Sequence, residues 1–455
     1  MVYNLPGGEG DRIISDKLEP AVEVEEQAMS WETYFLGVGY ILAMGVCGLV
    51  LVALGSSLDL LAENVGYEAT DVGSVFIARG MGAVLGAIVS AKLYKIFKGN
   101  HVMSVALTLI SFLLFSLPFN KSYNWLHIYF FFLGLGTSIT DTGCQIMTRK
   151  LHGKKAGPWL GANTVSFGIS GALVPLVEIF TESLTVQYYV ISAVVLGVTF
   201  MIAFGPNPEN ITAYDVGQHM PKEHMEKSQK VDELSMGRMK SPHYNVEILI
   251  SIMVFFLIGG KVTATAYLDS YIDETGVISQ SKEPLLVLVL WIAITIGRLA
   301  GVQDQLFLTN KTLPIHLSIL LLGGFLSMLL VVWFPNNEEA LWVGVAFYGL
   351  FNGPCVGYCY DLNNRITLPT EKSMSIVMFG LNFGASLVPY ITSITWNNGG
   401  GPVTLIVVVF LSMLLPLPLL HLTKYVSYDP SVNPFLKNQY EEVPAVDVVE
   451  AGDII

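Results

Sequence analysis

The chain has 455 residues, of which 52% are hydrophobic and only 13% charged, and a formal net charge of −13. A soluble globular domain carries about a quarter charged residues, so this composition excludes one and points to an integral membrane protein. The negative balance says little about a working surface, because the acids concentrate in the tails; residues 1–30 alone hold seven acids against Arg12 and Lys17.

That acidic N-terminal tail lacks the basic start and short apolar stretch of a secretory signal peptide. The first apolar block is therefore expected to act as an uncleaved anchor. A spanning helix takes about 20 mostly apolar residues, and six such blocks follow at 31–57, 72–92, 101–118, 124–148, 157–180 and 185–204. Residues 205–244 are polar and rich in both charges, and read as a connector. Six more blocks lie at 245–270, 284–303, 313–334, 339–362, 372–396 and 402–423, followed by a polar tail over 424–455. The expected architecture is an all-α membrane protein, with twelve transmembrane helices in two six-helix bundles, 31–204 and 245–423.

Short-loop Lys and Arg residues mark the cytoplasmic side. With both termini inside, twenty of them fall in inner segments, and only Lys121 and Lys282 fall in outer loops. The tails and the linker are expected in the cytoplasm. The halves also echo one another: "SFGISGALVPL" (166–176) in block 5 matches "MFGLNFGASLVPY" (378–390) in block 11. Block 4 "FLGLGTSITD" likewise matches block 10 "FYGLFNGPCVGYCYD". Such repeats are a mark of two-bundle secondary transporters.

Catalytic signatures are absent. No HExxH, GxSxG or Walker A loop occurs, so neither an enzyme nor a primary ATP-driven pump is expected. The four cysteines (Cys47, Cys144, Cys355, Cys359) all sit in apolar blocks without zinc spacing and read as small buried hydrophobes. No metal site and no cofactor are expected.

Candidates for function are the polar residues inside apolar blocks. Asp141, in "SITDTGCQ", costs roughly 2.5–3.5 kcal/mol to insert as a charge. It suits either an ion-coupling carboxylate facing a cavity or a helix-end acid paired with Arg149 or Lys150. Gln145 is one turn away and shares its face. Arg79 lies mid-block in block 2, about 12 Å in depth from Asp141, which argues against a direct ion pair and for a structural charge. Lys261 is placed in the outer half of block 7, where it could snorkel outward or serve the site. Gly80, Gly82 and Gly86 form a small-residue pattern suited to close helix packing.

The stretches at 53–86, 141–177 and 291–302 resemble the major facilitator superfamily. Within it they are similar to the branch of the sodium-dependent glucose transporters and, more distantly, to the fucose–proton symporters. Asp141-Thr142-Gly143-Cys144-Gln145 matches that branch's Asp/Glu-Thr-(Gly/Ala)-(Gly/Ala)-Asn pattern, Gly297-Arg298 the superfamily's second-half loop signature, and Arg79 the usual helix 2 arginine. The resemblance implies a sugar carrier in which Asp141 handles a coupling cation, sodium or a proton. The sequence departs from the pattern at Ser90, in place of an aspartate; at Gly260-Lys261, in place of Ala-Glu; and at Gln145, in place of Asn.

The expectation is thus an alternating-access secondary transporter for a small solute, a hexose first. Gln145, Asn163, Lys261, Trp291, Asn352, Asn382 and Trp396 are its candidate substrate contacts, Asp141 its ion-coupling residue, and Arg79 and Arg298 its structural charges. Two other readings stand beside it: an organic-anion carrier, motivated by Lys261 and Arg79, and a non-transporting sensor or assembly subunit. The expected partners are a solute, a coupling cation and the lipid bilayer, with no nucleic acid, and the chain is read as a monomer. The plasma membrane is the expected location. "EGDRII" (9–14) and "EAGDII" (450–455) resemble acidic-dileucine sorting signals and keep an endolysosomal address open.

Overall fold

The structure is a computed structural model, and it describes residues 31–152, 156–181, 183–206, 244–304, 307–309, 312–367 and 371–426. Both dileucine-like motifs lie outside the described residues.

Each apolar block becomes a helix. Helix 1 is Trp31–Ser56 with a short continuation, Leu58–Val65; helices 2 to 6 are Ser74–Ile96, Gly99–Ser116, Tyr123–His152, Ala156–Phe180 and Leu184–Ala203. Helices 7 to 11 are Asn245–Thr275, Glu283–Asp304, Leu313–Trp333, Glu338–Ile366 and Glu371–Thr395. Helix 12 runs over Val403–Leu414 and continues as Pro416–Val426. Among the described residues, 11 helices are long and apolar enough to cross a membrane. Helix 4 is not one of them. Its 30 residues span about 45 Å at ~1.5 Å per residue, ample for a bilayer, but its C-terminal half is polar. It is the helix that carries Asp141.

Local chemistry sets the ends. The Asn337 side chain accepts from Ala340 N at 2.9 Å and caps helix 10. Gly276, at φ +61°, ends helix 7 in the left-handed conformation that an L side chain avoids, with its N–H on Ile272 O.

Packing repeats six helices on. Helix 2 packs on 4 as 8 packs on 10, helix 1 on 5 as 7 on 11, and helix 3 on 6 as 9 on 12. The first of these crossings depends on glycine: a Cβ on Gly82 would run into the Phe131 carbonyl, and one on Gly134 into the Arg79 carbonyl. In lipid, helix association relies on this kind of close van der Waals approach. The expected packing role of the helix 2 glycines is what the structure has.

Three seams join the halves: helix 5 on 8, helix 2 on 11 and helix 1 on 7. At the face where the 205–243 connector leaves, helices 5 and 8 close together, and Arg298 Nη1 donates to Thr164 O at 2.8 Å. At the opposite face, helices 2 and 11 close instead. There Ser393 Oγ donates to Thr70 O at 2.5 Å, and Asn397 Nδ2 reaches Thr70 O and Asp71 Oδ1 at 3.0 Å each.

Candidate functional site

Two polar regions lie between the halves. The first surrounds Asp141. Its carboxylate is set against Gln145 one turn on and feels Cys47 of helix 1, Cys144 and Tyr360 of helix 10. Oδ1 is sealed from solvent and accepts no hydrogen bond. Arg149 and Lys150 are exposed, and neither pairs with it. The helix-end ion pair weighed from sequence is therefore absent. No ion pair joins Arg79 to Asp141 either: Arg79 is buried on helix 2 near Cys47, and its Nε has no acceptor.

Lys261 corrects the sequence reading. It sits one residue past the midpoint of helix 7, is fully buried, and does not snorkel. Its Nζ has no hydrogen-bond partner; Arg298 and Cys355 are within electrostatic reach. The neighbouring interior holds further unsatisfied groups: Trp291 Nε1, Tyr348 OH and Asn352 Oδ1. Trp291 lies on helix 8 facing helix 5, where it meets Phe167 at a ring separation of 6.3 Å. Asn352 Nδ2 is held by Leu257 O of helix 7 at 3.3 Å.

The remaining candidates are more scattered. Asn163 is buried and donates to Thr148 Oγ1 at 3.3 Å, tying helix 5 to helix 4. Asn382 turns back on its own helix, to Met378 O at 3.1 Å. Trp396 lies at the far end of helix 11, where Nε1 donates to Glu274 at 2.7 Å and the ring meets Tyr267. Arg298 is within helix 8 rather than in the loop after it; besides Thr164 it lies over the Phe167 ring at 4.8 Å, and it stitches the two halves. Ser90, in the departure from the family pattern, is buried and bonds only to Ala87 O of its own helix, at 2.9 Å.

The second region escaped the sequence reading. A cavity of about 760 Å³ opens at the face opposite the connector, between helices 1, 5, 7 and 8. Eight carboxylates line it, and among the described lining residues there is no Lys, Arg or His. Ser270 Oγ donates to Asp59 Oδ1 at 3.0 Å, and Ser56 Oγ to Glu178 Oε1 at 2.6 Å. Burial, eased by the Ser270 hydrogen bond and reinforced by the charge of Asp273, pushes Asp59 up to about 6. A signal existed: Glu178 stands alone inside an apolar block, as Asp141 does, and Asp269 shares its block only with Glu247 and Lys261.

The comparisons with known proteins agree with this fold. The Major Facilitator Superfamily model matches residues 36–367. The mouse sodium-dependent glucose transporter 1A is 21% identical over 371 residues, 76% of this chain and 86% of that protein. The human sodium-dependent glucose transporter 1 is 22% identical over 376 residues, 76% of this chain and 71% of that one. Among solved structures, the xylose transporter XylE from E. coli in a partially occluded inward-open conformation superposes with a TM-score of 0.68. It covers 86% of this chain and 97% of its own at 11% identity, which establishes the shared fold.

Proposed function

The chain belongs to the Major Facilitator Superfamily, and from that membership we propose a hexose carrier that works by alternating access and couples to sodium or protons through Asp141. The family makes it a multi-pass membrane transporter rather than an enzyme. The sugar assignment draws on the relatives named as glucose transporters.

The observation that carries the coupling role is the Asp141 carboxylate itself. It is half-buried between the halves, with one oxygen sealed from solvent and unsatisfied and no basic partner. A charge held that way is costly, and a proton or sodium ion removes the cost. A carrier whose empty form is strained and whose loaded form is not will change conformation readily only when the site is filled. Gln145, Lys261, Trp291 and Asn352 then line the solute path, with amide and amine donors for sugar hydroxyls and an indole face for the ring. Asn163, Asn382 and Trp396 hold helices together around it.

The first bundle would be residues 31–204 and the second 245–423. Tails and linker lie in the cytoplasm, the cavity opens outward, and the chain works as a monomer in the plasma membrane. The positive-inside bias supports that orientation. An organic-anion cargo remains the second reading because Lys261 is a buried amine with no carboxylate beside it.

The test is uptake of labelled glucose into proteoliposomes, wild type beside Asp141→Asn, under separate sodium and proton gradients. The proposal expects gradient-driven accumulation in wild type, and exchange without accumulation in the variant. Saturable carboxylate uptake with no competition by hexoses would replace the sugar reading with the anion one.

A further inference from the structure

The groups around Asp141 are a poor shell for a metal ion. Sodium takes several oxygen ligands, and in membrane carriers these come largely from unwound backbone and broken helix ends. Neither is present beside Asp141. Helix 1 over Trp31–Ser56 and helix 4 over Tyr123–His152 run unbroken past it, so their carbonyls stay in the helical ladder. Pro354 frees one carbonyl in helix 10, that of Leu350, but this oxygen lies against Gly297 of helix 8. The side chains that face the carboxylate are the thiols of Cys47 and Cys144, the phenols of Tyr94 and Tyr360, and the Gln145 amide. Thiols suit soft metals, and Tyr94 OH already donates to Ile139 O at 3.0 Å. Among the described residues no Lys, Arg, His or second carboxylate bears on Asp141, and no metal-binding cluster includes it. A proton needs no ligand shell, and it removes the charge where it sits.

We propose that the cation coupled through Asp141 is a proton, and that Tyr360 is the group through which the second half senses it. The inference rests on the coupling role given to Asp141 above. Tyr360 reaches the carboxylate from helix 10, across the divide between the halves. Its OH is turned to Met378 Sδ of helix 11 at 3.6 Å, and a thioether is a weak acceptor. An ionised carboxylate is a far stronger one. Loss of the proton therefore draws Tyr360 to Asp141 and ties helix 10 to helix 4, and a returning proton frees it. The step needs no other reactant. Asp141 takes the proton from water on one side of the membrane, and its O–H bond breaks to water on the other after the halves have moved.

The experiment reads protonated carboxyl groups by infrared difference spectroscopy as pH is varied, with the full chain in nanodiscs, in potassium and in sodium buffers. The expected result is a carboxyl C=O band that titrates alike in both salts, is lost in Asp141→Asn and is present again in Asp141→Glu. Tyr360→Phe should keep the band but move its midpoint upward by roughly one pH unit, because the ionised form loses a donor. A merely structural role for Tyr360 would leave the midpoint in place. Folding of each variant is checked by its elution profile and melting curve. In proteoliposomes carrying a pH dye, external glucose should acidify the lumen in sodium-free buffer, and sodium should add nothing. Glucose uptake that requires sodium, or a band that sodium suppresses, would overturn the proposal and leave the hexose reading intact. So would the lack of any band that depends on Asp141, or an unmoved midpoint in Tyr360→Phe. The expected band without glucose-driven acidification would support the proton site and remove the hexose reading instead.

Discussion

Replacing Lys261 with methionine should make the protein more stable. The perturbation is nearly isosteric, since both side chains are unbranched and of similar length. Lys261 is fully buried, and its Nζ has no hydrogen-bond partner. Arg298, a charge of the same sign, is within electrostatic reach of it. Leaving a buried polar group unsatisfied costs about 1–3 kcal/mol, more for a charged one. Exchanging buried ionic groups for well-packed hydrophobic ones gains about 1–4 kcal/mol in other proteins. Taking about 2–3 kcal/mol, and an unfolding entropy of roughly 0.7 kcal/mol per kelvin for a helical region of this size, the melting temperature should rise by about 3–4 °C. The assay is a melting curve followed by intrinsic tryptophan fluorescence in detergent, with glucose binding measured on the same sample. If Lys261 donates to the solute, the same variant binds glucose at least tenfold more weakly, so stability and affinity move in opposite directions. A fall in melting temperature would refute the reasoning, because it would mean that the amine makes an interaction that stabilises the empty carrier.

Other outcomes follow from the same geometry. Arg298→Ala removes the hydrogen bond to Thr164 and the contact with Phe167, and should weaken the helix 5–8 seam by about 1.5–3 kcal/mol; cysteines placed at Gly161 and Val302 would then cross-link more slowly. Gly134→Leu forces a side chain against the Arg79 carbonyl and should abolish the folded, monodisperse protein, whereas Gly197→Leu, with open space around it, should be tolerated in size-exclusion profiles. The pH dependence has a definite sign. Asp59 has a folded value of about 6 against an ordinary 3.8, and it faces Ser270 and Asp273 of helix 7 within reach of Asp269. Its charge is present above pH 6 and lost as pH falls through it. The protein should therefore gain stability between pH 6 and 4, where the folded form takes up a proton that the unfolded chain does not; melting curves across that range check it.

The sequence by itself determined the spans and their number, because a segment that must satisfy its backbone inside a bilayer has one solution, a helix of about 20 apolar residues. It also determined the duplication, since the small-residue and Val-Pro patterns that let helices cross closely recur six blocks on, and the helix pairs built from them recur as well. Asp141 was legible for the same reason: one charge in an apolar run is conspicuous. Whether that charge had a partner was not legible. Arg149 and Lys150 stand within three turns of it along the helix, yet are exposed, and only the packing of helix 1 against helix 4, with Tyr360 of helix 10 in reach, decides what the carboxylate meets. Lys261 shows the same limit: whether its amine reaches the surface or stays inside depends on the helices packed around it, and the structure buries it completely. The acidic cavity lay furthest out of reach. Asp59, Glu178, Asp269 and Glu283 are separated by some 14 to more than 200 positions along the chain; Glu178 and Asp269 stand out in their apolar blocks, but nothing in the sequence says that the four come together. Their meeting is a property of four helix ends brought together by two seams, and it exists only in the tertiary structure.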